Sequence, residues 1–279
     1  MAGLIFAVSG CGAAEPADTK DDRVVVAALG DSITAGSPLW DPDPAIRETI
    51  PAPDEASQFE YWAARADPRL EFRNCGIFGE PTDEIAARLE ECADGADVLV
   101  VQGGINDIAQ NQSVEDAAAN LRGIVRAGKE RGLEVALVDV LPWNNGHPAA
   151  DGPIAELNRL IGEIGRDEGV EVLPFHDALE DPDEPGTMAA GLTDDGNHPS
   201  VAGYRRLGDL FADLATREGR RGTGGVVGAS PNPRPASSCA ACGSPGGVCT
   251  RNGVIWSSKS PIGTSRRRFM GTQPRIRCG

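Results

Sequence analysis

Five short apolar runs alternate along the chain with amphipathic segments of helical length, and this alternation strongly limits the possible folds. The first run, 24–29, is rich in β-branched and small apolar residues and ends at Gly30, which predicts a fully buried strand. Further strands are predicted at 70–75, 97–102, 133–140 and 170–173, and helices at 54–66, 82–92, 113–131, 154–168 and 200–217. Strands that alternate with helices form a parallel sheet covered by helices on both faces. We therefore predict an α/β fold, a three-layer α/β/α sandwich with a five-stranded, mostly parallel sheet.

The composition divides the chain into three regions: an N-terminal segment and linker at 1–22, the α/β domain at 23–217, and a tail at 218–279. The tail is rich in Gly, Ser, Pro and Arg and has no apolar periodicity, so we expect it to be basic, of low complexity and disordered. The formal net charge is -16, although 11 Lys and Arg face a single acid from Arg217 onward. The acidic excess therefore lies before Arg217, which argues against nucleic acid and anionic membranes as partners.

The N-terminal apolar run ends in Val8-Ser9-Gly10-Cys11, a pattern that resembles a bacterial lipoprotein signal. In such a signal Cys11 would become the lipidated first residue, and the chain would be exported as a periplasmic or membrane-anchored lipoprotein. No basic residue precedes the run, in contrast to a typical signal. The alternative is a cytoplasmic protein with a frayed N-terminus.

The cysteines support two predictions. A zinc site in the tail would draw on Cys239, Cys242, Cys249 and Cys278. The long spacing to the last cysteine and the lack of a nearby histidine favour a disordered tail instead. Cys75 ends a predicted strand and Cys92 ends the following helix, whose ten or so residues span about 15 Å. A disulfide requires Cα atoms within about 7 Å, so we expect both cysteines to be free.

Four polar loops are predicted at the carboxyl edge of the sheet or before the last helix, where open α/β sheets bind ligands. They are Gly30-Asp31-Ser32, Gly76-x-x-Gly79, Gly103-Gly104-x-Asn106-Asp107 and Asp195-Gly196-Asn197-His198. A serine hydroxyl becomes an effective nucleophile when a base takes its proton, and imidazole is suited to that task near neutral pH. The loops therefore supply a candidate nucleophile, Ser32, and a candidate base, His198.

In this order the four blocks resemble those of the SGNH (GDSL-type) hydrolases, over about residues 23–216. The resemblance implies a flavodoxin-like fold and a carboxylic ester hydrolase that works through an acyl-enzyme on Ser32. His198 would be the general base, and Asp195 would orient its ring. The oxyanion hole would consist of the backbone N–H groups of Ser32 and Gly79 and the side-chain amide of Asn106. The resemblance implies no metal ion and no cofactor.

Other residues of the sequence are alternatives for the same roles. His176, beside Asp177, is the rival base, but its spacing does not match the family block. Gly76 is the rival to Gly79. His147 lies in a loop rich in Pro and Gly, where we expect it to be solvated or to contact substrate.

The acidic residues of the four blocks allow one rival enzyme class. Asp31 and Asp107 are expected to support loop geometry. Together with Asp195 and His198 they could instead bind a metal ion in a phosphoesterase, which would leave Ser32 and Asn106 without roles.

The expected substrate is a small-molecule or glycan ester, such as an O-acetyl group on a polysaccharide or an acyl chain on a lysophospholipid. The long loop 37–54 could form a wall of the pocket through Trp40, or it could be a solvated surface excursion. Trp40 and Trp143 could contact either an acyl chain or a sugar ring. A different class of function is a non-catalytic carbohydrate- or lipid-binding domain on the same scaffold. We expect a monomer.

Overall fold

A computed structural model of the chain describes residues 23–143 and 148–222. Its centre is a five-stranded sheet with the order β2-β1-β3-β4-β5, in which every pair of neighbouring strands is parallel. The strands are β1 (Val24–Gly30), β2 (Leu70–Gly76), β3 (Val98–Val101), β4 (Glu134–Val138) and β5 (Glu171–Leu173). The predicted sheet is therefore confirmed, and it is parallel throughout.

Helices connect the strands and continue to the end of the described chain. They are α1 (Ser32–Ala35), α2 (Pro44–Arg47), α3 (Phe59–Ala66), α4 (Thr82–Ala87), α5 (Leu89–Ala93), α6 (Ile105–Ala109), α7 (Val114–Glu130), α8 (Asp151–Glu168), α9 (Phe175–Leu179) and α10 (Val201–Gly222), with a 3-10 turn at Pro148–Ala150. None of the helices in this part of the chain has the length and apolar character needed to cross a membrane.

Strand β1, an inner strand of the sheet, shows why the domain has three layers. Its side chains alternate between two buried clusters, as successive residues of a strand must. Ala27 and Leu29 join the cluster formed with α4, α5, α7 and α8. Val26 and Ala28 join the cluster formed with α3, α9 and α10. A strand buried on both faces has to be apolar throughout, which explains the continuous apolar run in the sequence.

Several helix boundaries differ from the sequence prediction. The helix predicted from residue 54 begins only at Phe59, because the backbone of Gln58 is extended (φ -147°, ψ 138°). The buried face predicted for this helix is present, since Phe59 and Ala63 are fully buried. Helix α7 has the predicted cap, in which the Ser113 hydroxyl accepts a hydrogen bond from the Asp116 N–H at 3.1 Å.

The prediction that Cys75 and Cys92 are free is wrong. The helix predicted at 82–92 consists of two short helices, because Arg88 (φ -97°, ψ -1°) ends α4 and precedes α5. The break lets the chain return to the end of β2, where the Arg73 guanidinium donates to the Cys92 carbonyl at 2.7 Å. The Cα atoms of Cys75 and Cys92 lie 6.0 Å apart, and the two residues form a disulfide. The sequence estimate failed because it treated the helix as continuous.

The strand order determines where a ligand site can form. The chain runs from β1 outward to β2, crosses back to β3 on the other side of β1, and continues to β5. The direction of winding therefore reverses at β1, and in open α/β sheets the crevice at such a reversal holds the ligand. Ser32 follows the carboxyl end of β1 at this point.

Some sequence predictions lie outside the described residues. These are the lipid anchor at Cys11, the solvated His147, and nearly all of the tail predicted at 218–279 with its four cysteines. Helix α10 runs to Gly222, beyond the domain boundary predicted at Arg217.

Candidate active site

Ser32 is the first residue of α1, and it is held there by a buried acid and a buried amide. The Asp31 carboxylate accepts a hydrogen bond from the Ile33 N–H at 2.9 Å and so caps the helix. The Asp31 N–H in turn donates to Oε1 of Gln102, at the end of β3, at 3.2 Å. Burial raises the pKa of Asp31 to about 6, and its other carboxylate oxygen has no hydrogen-bond partner among the residues that the structure describes. Asp31 therefore shapes the turn that carries Ser32.

His198 and Asp195 form a compact turn before α10. One carboxylate oxygen of Asp195 accepts from the backbone N–H groups of Asn197 and His198, both at 2.8 Å. The other oxygen lies 2.8 Å from Nδ1 of the His198 ring. Burial raises the pKa of Asp195, but these hydrogen bonds outweigh it and hold the pKa below its ordinary value. The three-residue spacing lets one carboxylate hold both the backbone and the ring of His198.

The structure brings Ser32 and His198 together from opposite ends of the domain. Nε2 of His198 lies 3.1 Å from Oγ of Ser32, although the two residues are 166 positions apart in sequence. Asp195, His198 and Ser32 thus form a continuous chain of hydrogen bonds. This is the geometry in which an imidazole can take a proton from a hydroxyl while a carboxylate fixes its tautomer.

Gly79 lies in the loop before α4 and Asn106 lies in α6, and hydrogen bonds join these two segments. Nδ2 of Asn106 donates to the Glu80 carbonyl at 3.0 Å, and Nε2 of Gln110 donates to the Gly79 carbonyl at 3.2 Å. Gly79 has a φ of +82°, and a Cβ there would meet no atom within 4 Å. The backbone conformation, rather than lack of space in the free protein, is therefore what favours glycine at this position.

The three predicted oxyanion donors each retain an N–H group, although Gly79, unlike Ser32 and Asn106, does not line the cavity beside Ser32. The backbone N–H groups of Ser32 and Gly79 have no acceptor among the described residues. Asn106 uses one hydrogen of its amide on the Glu80 carbonyl and retains the second. Donors without a protein partner at a ligand site are what an oxyanion requires.

The rival glycine, Gly76, has a different part in the structure. It pairs with Gly30 in the register of β1 and β2. A Cβ on Gly76 would lie 2.1 Å from the backbone nitrogen of Ala35 in α1. Glycine is therefore required at position 76 so that β2 can pass close to the helix that carries Ser32.

Asp107 joins the first residue of α4 to α6, the helix that carries Asn106. Its two carboxylate oxygens accept from the Thr82 N–H at 3.0 Å and from the Thr82 hydroxyl at 2.6 Å. Burial raises the pKa of Asp107, and the hydrogen bonds from Thr82 oppose the shift. Since Asp107 and Asp195 direct both oxygens to donors within the protein, the four residues of the rival metal site do not form a ligand set.

A cavity of about 160 Å³ opens beside the Ser32–His198 pair. Besides these two residues, its lining comprises Ile33, Phe78, Gln102, Ile105, Asn106, Ala109, Val140, Leu141, Pro142, Trp143 and Asn197. Most of these side chains are apolar, and the polar ones gather near Ser32. Phe78 is 64% exposed, and its ring centroid lies 6.0 Å from that of His198, so it borders the entrance.

The two tryptophans singled out from the sequence lie in different places. Trp143 lines the cavity, and its indole N–H donates to the side-chain oxygen of Asn197. Trp40 does not line it, and its ring packs under the guanidinium of Arg47, 4.4 Å from the ring centroid. Of the two alternatives for the loop 37–54, a pocket wall formed by Trp40 is not found at this cavity, because the loop folds around its own short helix α2.

His176, the rival base, lines a second cavity of about 390 Å³ that shares Pro142 with the first. With Asp177 and Glu180 it forms a group whose potential ligand atoms lie within 4.8 Å of one another. The adjacent Asp139 is largely buried, and burial raises its pKa to about 7. Ser32 does not line this cavity, and the histidine within hydrogen-bond distance of Ser32 is His198, not His176.

Sequence reasoning missed several residues of this site. Asn197 stands inside the block that was already recognised, and Gln102 ends an apolar run, so both had a visible signal. The only sequence signal for Phe78 was its position directly before Gly79.

Comparison with known proteins agrees with this architecture. The fold is shared by a lipase/acylhydrolase from Enterococcus faecalis, which is 24% identical with a TM-score of 0.54, and the match covers 70% of this chain and 96% of that one. A GDSL-like lipase from Bacteroides thetaiotaomicron is 20% identical with a TM-score of 0.53, and the match covers 71% of this chain and 90% of that one. An acetylxylan esterase from Geobacillus stearothermophilus is 20% identical with a TM-score of 0.53, and the match covers 68% of this chain and 93% of that one. A search of curated proteins finds no match.

The sequence itself matches a family description over most of the domain. The match spans residues 28–206, which include all four blocks identified in the sequence. The resemblance inferred from those blocks is therefore confirmed at the level of the family. The chain belongs to the GDSL-like lipase/acylhydrolase family.

Proposed function

We propose that the chain is a serine esterase that hydrolyses carboxylic esters through an acyl-enzyme on Ser32. The observation that carries the proposal is the chain of hydrogen bonds from Asp195 through His198 to Ser32, with heavy-atom distances of 2.8 and 3.1 Å. A non-catalytic binding domain would have no need for a base aligned with a serine. The family match supports the same class of chemistry.

In the first half of the reaction, Oγ of Ser32 attacks the ester carbonyl and Nε2 of His198 takes the hydroxyl proton. The tetrahedral intermediate collapses to the acyl-enzyme as His198 gives that proton to the leaving alcohol. In the second half, His198 takes a proton from water, and the resulting hydroxide attacks the acyl carbon. His198 then returns the proton to Ser32, so that ester and water become acid and alcohol.

Asp195 stabilises the charged form of the base in both halves. Its pKa lies below the ordinary value, so it is ionised at neutral pH. The carboxylate can therefore hold the Nδ1 proton of the ring and balance the charge of the imidazolium. The negative oxygen of each intermediate would accept from the N–H groups of Ser32 and Gly79 and from the free amide hydrogen of Asn106.

The cavity supports a short acyl group. Its volume of about 160 Å³ is close to the roughly 150 Å³ that holds a benzene-sized molecule. Apolar residues such as Ile105, Ala109 and Val140 form much of the lining, whereas an acyl chain of a lysophospholipid would need a much longer channel. We propose acetyl to butyryl esters of small molecules or glycans as substrates. One structural neighbour is described as an acetylxylan esterase, which is consistent with this range.

The test is hydrolysis of p-nitrophenyl esters from acetate to palmitate by the full chain. We expect the highest kcat/KM at acetate to butyrate and a loss of at least 10³-fold in kcat for Ser32→Ala and His198→Gln. Ser113→Ala and His176→Gln are matched controls that remove the same side chains elsewhere, and both should keep full activity. Retention of most of the activity by Ser32→Ala would overturn the mechanism. A maximum at long chains would overturn the substrate range alone.

Export and a lipid anchor at Cys11 are part of the proposal. Disulfides such as Cys75–Cys92 persist mainly in oxidising compartments, which favours the exported alternative over the cytoplasmic one. Cell fractionation of the wild type and of Cys11→Ser tests it. The variant should move from the membrane to the soluble fraction, and an unchanged distribution would contradict the anchor.

A further inference from the structure

We propose that Arg88 is a positioning residue that maintains the spacing between the oxyanion donors. The proposal rests on the function proposed above and adds a residue outside the four sequence blocks. Arg88 lies at the break between α4 and α5, and its side chain is 21% exposed. It does not line the cavity beside Ser32, so it would act through the segments that it binds.

The guanidinium of Arg88 contacts three separate segments of the chain. One terminal nitrogen donates to the Cys75 carbonyl at 2.6 Å. The other donates to the Gly30 carbonyl at 3.0 Å and also to the Glu80 carboxylate. Nε donates to the same Glu80 oxygen at 2.8 Å. One planar group therefore joins the end of β1, the end of β2 and the turn before α4.

Two of these segments lead directly to a proposed oxyanion donor. Gly30 is two positions before Ser32, and Glu80 directly follows Gly79. The Glu80 carbonyl accepts the Asn106 amide at 3.0 Å, which couples the third donor to the same residue. The spacing between the donors thus depends on a group that binds all of their supports at once.

Arginine suits this position because its donors form a rigid planar fork. Strand β1 ends at Gly30 and β2 ends at Gly76, and the Gly30 carbonyl also accepts from the Ile77 N–H at 3.1 Å. A planar fork can bond several carbonyl groups at such strand ends together. Lysine presents a point charge on a flexible stem and cannot reproduce that geometry. The Glu80 carboxylate balances the charge of the largely buried guanidinium.

The consequence for the reaction is specific to the charged intermediate. The donors bind the oxyanion, which exists in the transition state and not in the ground-state ester. Displacing them by a fraction of an ångström to about 1 Å lowers the rate by up to about 10²-fold. Loss of the Arg88 fork should therefore lower kcat and leave KM nearly unchanged.

The first experiment compares Arg88→Lys with Arg122→Lys in the full chain, with p-nitrophenyl acetate as substrate. Arg122 is a matched control, because its side chain is 29% exposed and is also paired with carboxylates, those of Asp167 and Glu168. We expect Arg88→Lys to lower kcat by about 10–100-fold with KM within about threefold. Arg122→Lys should change neither by more than about twofold. An equal effect of the two variants would overturn the proposal.

A double-mutant cycle with Asn106→Ala separates positioning from a general structural role. If Arg88 acts by placing the donors, its replacement should cost far less once the Asn106 donor is gone, so the two losses in kcat will not multiply. Fully multiplicative losses would overturn the proposal. Should Arg88→Lys fail to fold, Glu80→Gln weakens the same anchor while retaining Arg88, and it should show the same non-additivity with Asn106→Ala.

Ser32→Ala distinguishes this proposal from the function on which it rests. Loss of activity in Ser32→Ala, together with multiplicative losses in the cycle, would overturn the role of Arg88 alone. Retained activity in Ser32→Ala would overturn the proposed function and with it the role of Arg88.

Discussion

Removal of the Cys75–Cys92 disulfide tests the part of the fold that differs most from the sequence prediction. The bridge spans a sequence separation of 17 residues. For a loop of that size the loss of chain entropy in the unfolded state corresponds to about 3 kcal/mol at 25 °C. The variant Cys75→Ala/Cys92→Ala should lose about that much free energy of unfolding, and it should melt roughly 6–12 °C lower. Because the effect lies mainly in the unfolded chain, kcat below the transition should stay within about twofold.

The measurement is urea unfolding followed by tryptophan fluorescence, with and without a thiol reductant. Reductant should shift the wild-type midpoint to that of the double variant and leave the variant itself unchanged, which controls for general effects of the reagent. A non-reducing peptide map should contain the peptides of Cys75 and Cys92 joined together. The reasoning fails if reductant leaves the wild-type midpoint in place, or if the map shows the two peptides separate.

Three further predictions concern packing, titration and the entrance of the cavity. Leu157→Ala, at a fully buried position, should lower the free energy of unfolding by about 3–5 kcal/mol, whereas Ile46→Ala, at a position 46% exposed, should change it by less than about 0.5 kcal/mol. Asp139 has a pKa raised to about 7, so its ionisation destabilises the fold progressively as pH rises from about 4 to 7. Asp139→Asn should therefore gain stability over the wild type across that range, on the order of 4 kcal/mol by pH 8. Phe78→Ala should raise KM for aryl esters by about 3–10-fold with kcat unchanged, and Ile77→Ala, which does not line the cavity, should leave KM unchanged. Urea unfolding tests the Leu157→Ala prediction. Urea unfolding at pH 4.5 and at pH 8 tests the Asp139→Asn prediction, and steady-state kinetics test the Phe78→Ala prediction.

The sequence could predict what local pattern determines. The apolar run of β1 has to be buried on both faces, so its pattern already indicates a central strand with a loop at its carboxyl end. The spacing of Asp195 and His198 is local too, since a turn of that length lets one carboxylate reach the ring and the backbone of the histidine. Polar loops at one sheet edge follow from the handedness of parallel connections.

Contacts that depend on where the chain bends could not be predicted in this way. Arg88 breaks a helix without a glycine or proline to mark the break, and both the disulfide and the guanidinium contacts depend on it. Trp40 illustrates the same limit, because its stacking with Arg47 follows from a short helix inside a loop rich in proline. Helical periodicity reports which face is buried, but it does not report which distant residue lies beneath a turn.

The distance along the chain between Ser32 and His198 has a consequence for protein synthesis. Ser32 leaves the ribosome early, whereas His198 can reach it only after α10 has packed on α3. The two helices lie close together, since a Cβ on Gly208 would lie 2.5 Å from the Phe59 carbonyl oxygen. A nascent or truncated chain therefore carries a serine without a base, which is a weak nucleophile. Ester hydrolysis would begin only when translation has passed residue 198 and the last helix is in place. The proposed activity would therefore report a finished domain.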